Sequence, residues 1–351
     1  MKVALYQGIE QITIEDWDIP KIKPDEYLVK VRAAAICGSD LRTYQHGHAK
    51  ITKPQVLGHE FAGDVVAVGS DIDELQVGDR VSVHPGIPCG HCFYCDRGQQ
   101  NLCDDRKNIG IHYQGAFAEY VKIPKQTLIA GTCVKIPQHV PYEIAALGDP
   151  VVSALNGEEM IDARLGDCIL ILGCGPIGML HAMIARLKGA STIVLVNRSR
   201  KRLEMAKERH LADYYFCLNE DGDLKEFTTS LNGGRGPNKV VVANTSVASA
   251  RQGVEVCAKG GTVLLFAGFP KGAPQLDIDG NLIHYHELHI TASFGSTPRQ
   301  FQLAEQLLFD KKIDGEILIT HHLPLVKINE GFQLMKDGDA LKVMITFDEK
   351  S

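Results

Sequence analysis

The chain has 351 residues, enough for two domains with sizeable cores, and 44% hydrophobic with 23% charged residues is an ordinary folded composition, not a disordered, collagen-like or coiled-coil one. A net charge of −6 removes the clustered Lys and Arg of a nucleic-acid binder, so no nucleic-acid partner is expected. Ten cysteines and fourteen histidines stand out, since these side chains bind borderline transition metals.

The opening MKVALYQGIE has no charged segment leading into an apolar one, so no secretory signal is expected and the chain is assigned to the cytoplasm. Thiols stay reduced there, and closely spaced cysteines read as metal ligands before disulfides. Apolar runs at 26–36, 61–70, 78–85 and 115–123, punctuated by Gly, Pro and Asp, predict a β-rich domain, a small sandwich or open barrel, from residue 1 to about 149. Inside it lie Cys37 in AAAICGSD and His59 with Glu60 in VLGHEFAG. A thiol, an imidazole and a carboxylate with one open position make a catalytic zinc site; a buried thiol beside a surface carboxylate is the alternative. Further on, Cys89, Cys92, Cys95 and Cys103 form C-x2-C-x2-C-x7-C on a polar loop. Four thiolates close the shell of a zinc ion, which makes that site structural; an iron–sulfur cluster is the rival, distinguishable by its colour.

From about residue 150 strands alternate with helix-length segments. A strand at 168–172 runs into Gly173, Gly175, Pro176 and Gly178, then an amphipathic helix at 177–189, a strand at 191–196 and a helix at 199–210. The glycines also break the uncharged stretch 168–185, which is therefore no membrane span, and no membrane partner is expected. Runs at 239–244, 261–268 and 287–295 add three strands of a buried parallel sheet, and the tail reads as a helix at 301–313 followed by mixed strands.

Gly173-Cys174-Gly175-Pro176-Ile177-Gly178 fits G-x-G-x-x-G between a strand and a helix, where backbone amides and the helix N-terminus face a dinucleotide pyrophosphate. At the end of the next strand, Asn197 stands where an NAD enzyme places an acidic residue, and Arg198, Ser199, Arg200, Lys201 and Arg202 follow. Repulsion against a 2′-phosphate is absent and cations are present, so NADP(H) is favoured over NAD(H).

CGSD at Cys37, GHEFAG at Gly58, VGDRVSV at Val77, the cysteine loop, GAFAEY at Gly115, GCGPIG at Gly173 and HYHELHITASFG at His284 follow one another in an order that spans nearly the whole chain. Together they resemble the zinc-containing medium-chain alcohol dehydrogenases, in texture the sorbitol or polyol branch. The resemblance implies an α/β fold class: a GroES-like β-rich catalytic domain (1–149, with the structural zinc loop 89–103), a Rossmann doubly wound parallel-sheet cofactor domain (150–295), and a C-terminal return to the catalytic domain (296–351). It further implies a substrate cleft between the domains, a homodimer or homotetramer, and two zinc ions per chain. In that family the catalytic zinc is held by residues matching Cys37 and His59, with Glu60 as ligand or exchangeable neighbour and Asp149 at the place of an acidic fourth ligand or near neighbour of the metal. Asp40 matches the group that orients the zinc histidine, and Ser39 the hydroxyl that takes the substrate proton.

Two departures matter. Arg42 stands where relatives often place a proton-relaying His, and a guanidinium relays no proton at neutral pH; it suits a cofactor or an anionic substrate instead. Gly295 and Ser296 stand where polyol enzymes carry an Arg and a Tyr that grip hydroxyls. The expected activity is hydride transfer between a small secondary alcohol, of polyol or sugar-derived type, and NADP(H). The alternatives are a threonine-like or phosphorylated alcohol on the same scaffold, and a non-catalytic zinc-binding relative.

Overall fold

The computed structural model describes residues 1–270, 272 and 275–347. The chain parts into two compact units, Met1–Val152 together with the segment from Gly295 onward, and Ser153–Phe294.

In the first unit the strand Glu26–Ala35 is the organising element. Tyr27, Val29 and Val31 are all at 0% exposure, as expected of a strand covered by partners and by core. It pairs antiparallel with Glu60–Val68, with Tyr120–Pro124, and with the late strand Lys342–Thr346. That last pairing, Met344 against Ala35 and Ile345 against Ala34, returns the C-terminal segment to the sheet of the N-terminal one. Phe61, Phe117 and Phe332 fill the core, with the rings of Phe117 and Phe332 edge to face at 6.2 Å. Phe332 belongs to the helix Ile328–Asp337, which the reading of the tail as mixed strands after 313 missed. The helix is charged on its outer face and stops at Gly338, whose φ of 76° suits glycine.

A buried carboxyl packs against the start of another helix. Glu305, on helix Pro298–Phe309, has no exposed surface and lies 2.5 Å from Ser82 Oγ, which donates to the carbonyl of Ala145. With that hydroxyl proton committed, the Glu305 carboxyl is the donor to Ser82, and burial pushes its pKa up to about 8. Only glycine fits at Gly148 beside it, because a Cβ there would stand 2.1 Å from Glu305 Oε1. Between the ordinary carboxyl value and about 8 the folded chain keeps a proton that the unfolded chain has lost, so stability falls as pH rises through that window, by about 1.4 kcal/mol per unit at most. Glu305→Gln stays neutral at all pH values. Thermal melts should therefore show the variant more stable than wild type at pH 8, with the gap closing toward pH 5.

The second unit is a six-stranded all-parallel sheet, ordered Tyr214–Cys217, Thr192–Asn197, Cys168–Leu172, Lys239–Val242, Thr262–Leu265, His289–Ala292. Ile169, Leu170 and Ile171 are fully buried at its centre. Chain order reverses between Cys168–Leu172 and its neighbour Lys239–Val242, and the carboxyl ends there form the crevice where doubly wound sheets take ligands. Five of the six strands are legible as apolar runs. Tyr214–Cys217 is not, since it is a short edge strand with Tyr214 exposed. Among the described residues no helix is long and apolar enough to cross a membrane.

Candidate active site

The loop 89–103 is folded on two 3-10 turns, Cys95–Arg97 and Gln100–Leu102, and brings the sulfurs of Cys89, Cys92, Cys95 and Cys103 within 4.8 Å of one another. Zinc–sulfur bonds of about 2.3 Å in a tetrahedron place sulfurs about 3.8 Å apart. The observed separations are 3.9 Å for Cys89–Cys95 and 3.6 Å for Cys92–Cys95, so the cage has the size of a zinc tetrahedron. Backbone amides of Cys95 and Asp104 lower the Cys92 thiol to about 6, whereas burial pushes Cys103 up to about 12. None of the ten cysteines is in a disulfide. Cys168, Cys174, Cys217 and Cys257 are buried as small core residues, and Cys133 is half-buried.

A second cluster joins Cys37, His59 and Glu60, again with ligand atoms within 4.8 Å of one another. Cys37 caps the helix Gly38–His46, and its backbone N–H donates to Asp40 Oδ2 at 3.0 Å. The other Asp40 oxygen lies 3.2 Å from His59 Nδ1, which fixes that nitrogen as the donor and leaves Nε2 as the ring atom that could face a metal ion. Against its burial, Asp40 and Cys37 hold the His59 pKa well above the usual value; the same negative field suits a divalent cation at Nε2. Ser39 Oγ stands 3.4 Å from Nε2. Gly58 makes the approach possible, since its φ is 90° and a Cβ would lie 2.6 Å from the Phe117 ring.

Two carboxylates stand at the cluster, Glu60 within it and Asp149 beside it. Glu60 is 1% exposed and is bound by Lys342, itself 3% exposed, with Nζ to Oε1 at 2.6 Å. Burial raises the Glu60 pKa, and the Lys342 ammonium opposes it. Asp149, in the first turn of helix Gly148–Met160, has Oδ2 3.9 Å from His59 Nε2 and Oδ1 3.7 Å from His84 Nε2. Burial raises Asp149 too, against the pull of His59, Lys342 and Arg106. His84 is held neutral by burial, at about 3, and hydrogen-bonds Ser296 Oγ at 2.8 Å. Gly295 has a φ of 62°, and a Cβ there would come within 2.3 Å of the Arg106 guanidinium.

Lys342, His84 and Arg106 are absent from the sequence reading of the site. Lys342 carried a signal, as a cation opening the apolar run KVMITF; His84 and Arg106 reach the cluster through tertiary folding alone. Arg42 is exposed on its helix.

In the second unit, Gly175 is the N-cap and Pro176 the first residue of helix Pro176–Leu187. The glycines are sterically required: a Cβ on Gly178 would lie 1.8 Å from the Gly173 carbonyl oxygen, and one on Gly173, at φ 118°, 2.9 Å from that of Ala243. Ile177 follows Pro176 in the first turn. A cleft of about 330 Å³ opens beside Gly173, lined by Asn197, Arg198, Asn244, Ser246 and Ser249 among others. Asn197 Oδ1 accepts from the Cys174 N–H at 3.4 Å, and its Nδ2 donates to the Ser199 carbonyl at 3.0 Å. Arg200 is committed to Glu220 and Asp221. Arg198 is exposed at the cleft, and Arg202 lies beside Gly175, 3.6 Å from where a Cβ would stand.

Residues 23–138 match the alcohol dehydrogenase GroES-like domain and residues 176–310 the zinc-binding dehydrogenase family. An L-threonine 3-dehydrogenase of Chelativorans sp. is 32% identical over 96% of this chain and 95% of its own length. A sorbitol dehydrogenase of Halalkalibacterium halodurans is 28% identical over 98% of both chains. A D-arabitol-phosphate dehydrogenase of Enterococcus avium is 31% identical over 96% of this chain and 94% of its own. Among solved structures, a zinc-binding dehydrogenase target of Sinorhizobium meliloti 1021 bound to NADP superposes with a TM-score of 0.89 at 29% identity, covering 99% of both chains. An alcohol dehydrogenase of Escherichia coli CFT073 complexed with NADH gives the same TM-score, 0.89, the same 29% identity and the same 99% coverage of both chains.

Proposed function

The chain belongs to the zinc-containing medium-chain alcohol dehydrogenase family, oxidoreductases acting on CH–OH donors, and from that premise we propose that it interconverts a secondary alcohol of polyol or sugar-derived type and its ketone, with NADP(H) as the favoured nicotinamide. The observation that carries this reading is the convergence of Cys37, His59 and Glu60, with Asp149 beside His59 Nε2. Cys37 and His59 would hold the catalytic zinc, with Glu60 as ligand or exchangeable neighbour and Asp149 as fourth ligand or near neighbour, and the four loop cysteines would hold a structural one, two ions per chain.

Zinc would supply Lewis-acid polarisation of the substrate hydroxyl, and the nicotinamide would accept the hydride. The residues do the rest. Asp40 keeps the His59 tautomer fixed, so Nε2 presents a lone pair whatever the substrate does. Ser39 Oγ, 3.4 Å from that nitrogen and exposed to solvent, is placed to relay the hydroxyl proton, accepting it as the alcohol is oxidised while passing its own hydroxyl proton to water, and to run the exchange backward in the reverse direction. Lys342 neutralises Glu60, so that this carboxylate can stay close to the ligand set without adding an unbalanced charge. A panel of secondary alcohols and ketones, followed by nicotinamide absorbance with both cofactors, tests the reading; no turnover with any of them would remove it.

Gly173, Gly175, Pro176, Ile177 and Gly178 would receive the pyrophosphate, and Asn197, Arg198, Ser199 and Arg202 the adenosine ribose. Support for NADP comes from the neutral amide of Asn197 and from two guanidiniums, Arg198 and Arg202, near the glycine loop. Titration should give a lower Kd for NADP than for NAD. Asn197→Asp should weaken NADP about tenfold or more, through like-charge repulsion. Tighter binding of NAD by the wild type would contradict the assignment.

Ten unpaired thiols suit a reducing compartment such as the cytoplasm. The strand His289–Ala292 ends the parallel sheet with its side chains largely exposed, an edge that a second copy of the chain could extend, which supports a homo-oligomer. An alcohol with an anionic group is the second reading, favoured by a cation-lined pocket in the first unit.

A further inference from the structure

The first unit carries a second cavity, of about 400 Å³, between residues 50–55 and residues 107–113. Its wall holds Lys50, Lys53, Lys107 and His112 and no carboxylate, in a chain whose net charge is −6. Lys107 is paired with Asp105 at 2.5 Å, outside the lining, so Lys50 and Lys53 give the cavity its excess charge. The walls are pinned before any ligand arrives. Gln55 Nε2 donates across the cavity to the Tyr113 carbonyl at 2.7 Å, and Gly110 N–H donates to the same carbonyl at 2.9 Å. Asn108 N–H donates to His112 Nδ1 at 3.0 Å, which makes Nε2 the protonated nitrogen and a donor. The His112 pKa is lowered, by burial first and then by Lys50, Lys107 and His48, as in a region of positive potential.

The cavity also shares a chain segment with the proposed catalytic centre. Gln55 precedes His59 by four residues, so their Cα atoms are at most about 14 Å apart. Gly110 packs against the residue before that histidine, a Cβ on it standing 3.2 Å from the Gly58 carbonyl oxygen.

We propose that this cavity is a subsite for the phosphate of a phosphorylated sugar alcohol, whose secondary hydroxyl is oxidised at the Cys37–His59 cluster. The assignment rests on the dehydrogenase reading above. A phosphomonoester carries close to two negative charges and three acceptor oxygens, matching ammonium groups and an imidazole N–H that have only donors to offer. A zwitterionic amino alcohol fits less well, because its ammonium group would meet lysines with no carboxylate in the lining to receive it. Arg42 is not part of this wall.

The test compares zinc-loaded wild type with the K50A/K53A double variant, both saturated with NADP so that the cofactor's own phosphate site is filled. Wild type should bind inorganic phosphate by calorimetry, and the variant at least about tenfold more weakly. In steady state, the wild-type KM for a sugar-alcohol phosphate should lie about tenfold or more below that for the parent sugar alcohol, and the double variant should erase that ratio. K50E, with circular dichroism as a check on folding, should reproduce the loss by charge reversal. Equal phosphate binding by wild type and variant, or a KM ratio indifferent to the lysines, would overturn the subsite while leaving secondary-alcohol oxidation intact. Lysine-dependent phosphate binding in a protein inactive on every alcohol would support the phosphate site and remove the dehydrogenase reading instead.

Discussion

Cys37→Ser should lower kcat by about 10³-fold or more and reduce the zinc content from two ions per chain to one. The size follows from the chemistry: Lewis-acid stabilisation is worth several kcal/mol, and each 1.4 kcal/mol of barrier is about tenfold in rate. The fold should survive. Cys37 sits at a helix N-cap, where serine is a preferred residue, and its backbone N–H can still donate to Asp40. The cofactor affinity should also survive, because the dinucleotide cleft is lined by residues 172–249. Circular dichroism, elemental analysis and NADP titration, run together on the variant, separate this outcome from unfolding. Retained turnover, or loss of both zinc ions at once, would count against the assignment of Cys37.

Cys92→Ser should do the opposite. This residue touches no proposed substrate group, and its sulfur lies 3.6 Å from that of Cys95 inside the closed thiol cage. Removing one of four thiolates forfeits much of the binding energy that folds the loop 89–103, which has almost no apolar core of its own. The expected result is a loss on the order of 4 kcal/mol in stability, with the remaining zinc still at the Cys37 cluster. Any activity measured below the new melting temperature should stay within about tenfold of wild type. A variant that melts like wild type with both zinc ions bound would contradict the structural role.

The contrast between these two sites also shows what the sequence discloses. The cysteine loop is legible because its ligands are neighbours in the chain: spacing alone brings Cys89, Cys92 and Cys95 together. The glycine loop is legible for the same reason, since Gly173, Gly175 and Gly178 meet their steric demands within one turn. The Cys37 cluster is only half legible. Cys37 and His59 are suggested by residue type, and Asp149 by resemblance, but the groups that set their electrostatics come from far along the chain. Lys342 reaches Glu60 because the last strand pairs with Ala33–Ala35, and that pairing depends on long-range β-register that no local pattern encodes. Ser296 reaches His84, and Glu305 reaches Ser82, by the same kind of non-local packing. A carboxyl such as Glu305 even misleads locally, because helix periodicity says nothing about whether a buried acid is ionised. The strand Tyr214–Cys217 and the helix Ile328–Asp337 escaped for a plainer reason: one is a four-residue edge, and the other has its apolar face diluted by charge.

The central claim is that the Cys37 cluster holds a zinc ion on which secondary-alcohol oxidation depends. Its most direct test is nicotinamide absorbance with a panel of secondary sugar alcohols and NADP, recorded on protein stripped of metal at the Cys37 cluster with the cysteine loop still loaded, and again after zinc is restored. The account predicts no NADP reduction in the stripped protein and full turnover on at least one secondary alcohol once zinc is returned. Equal turnover in both states, or none with both sites filled, would contradict it.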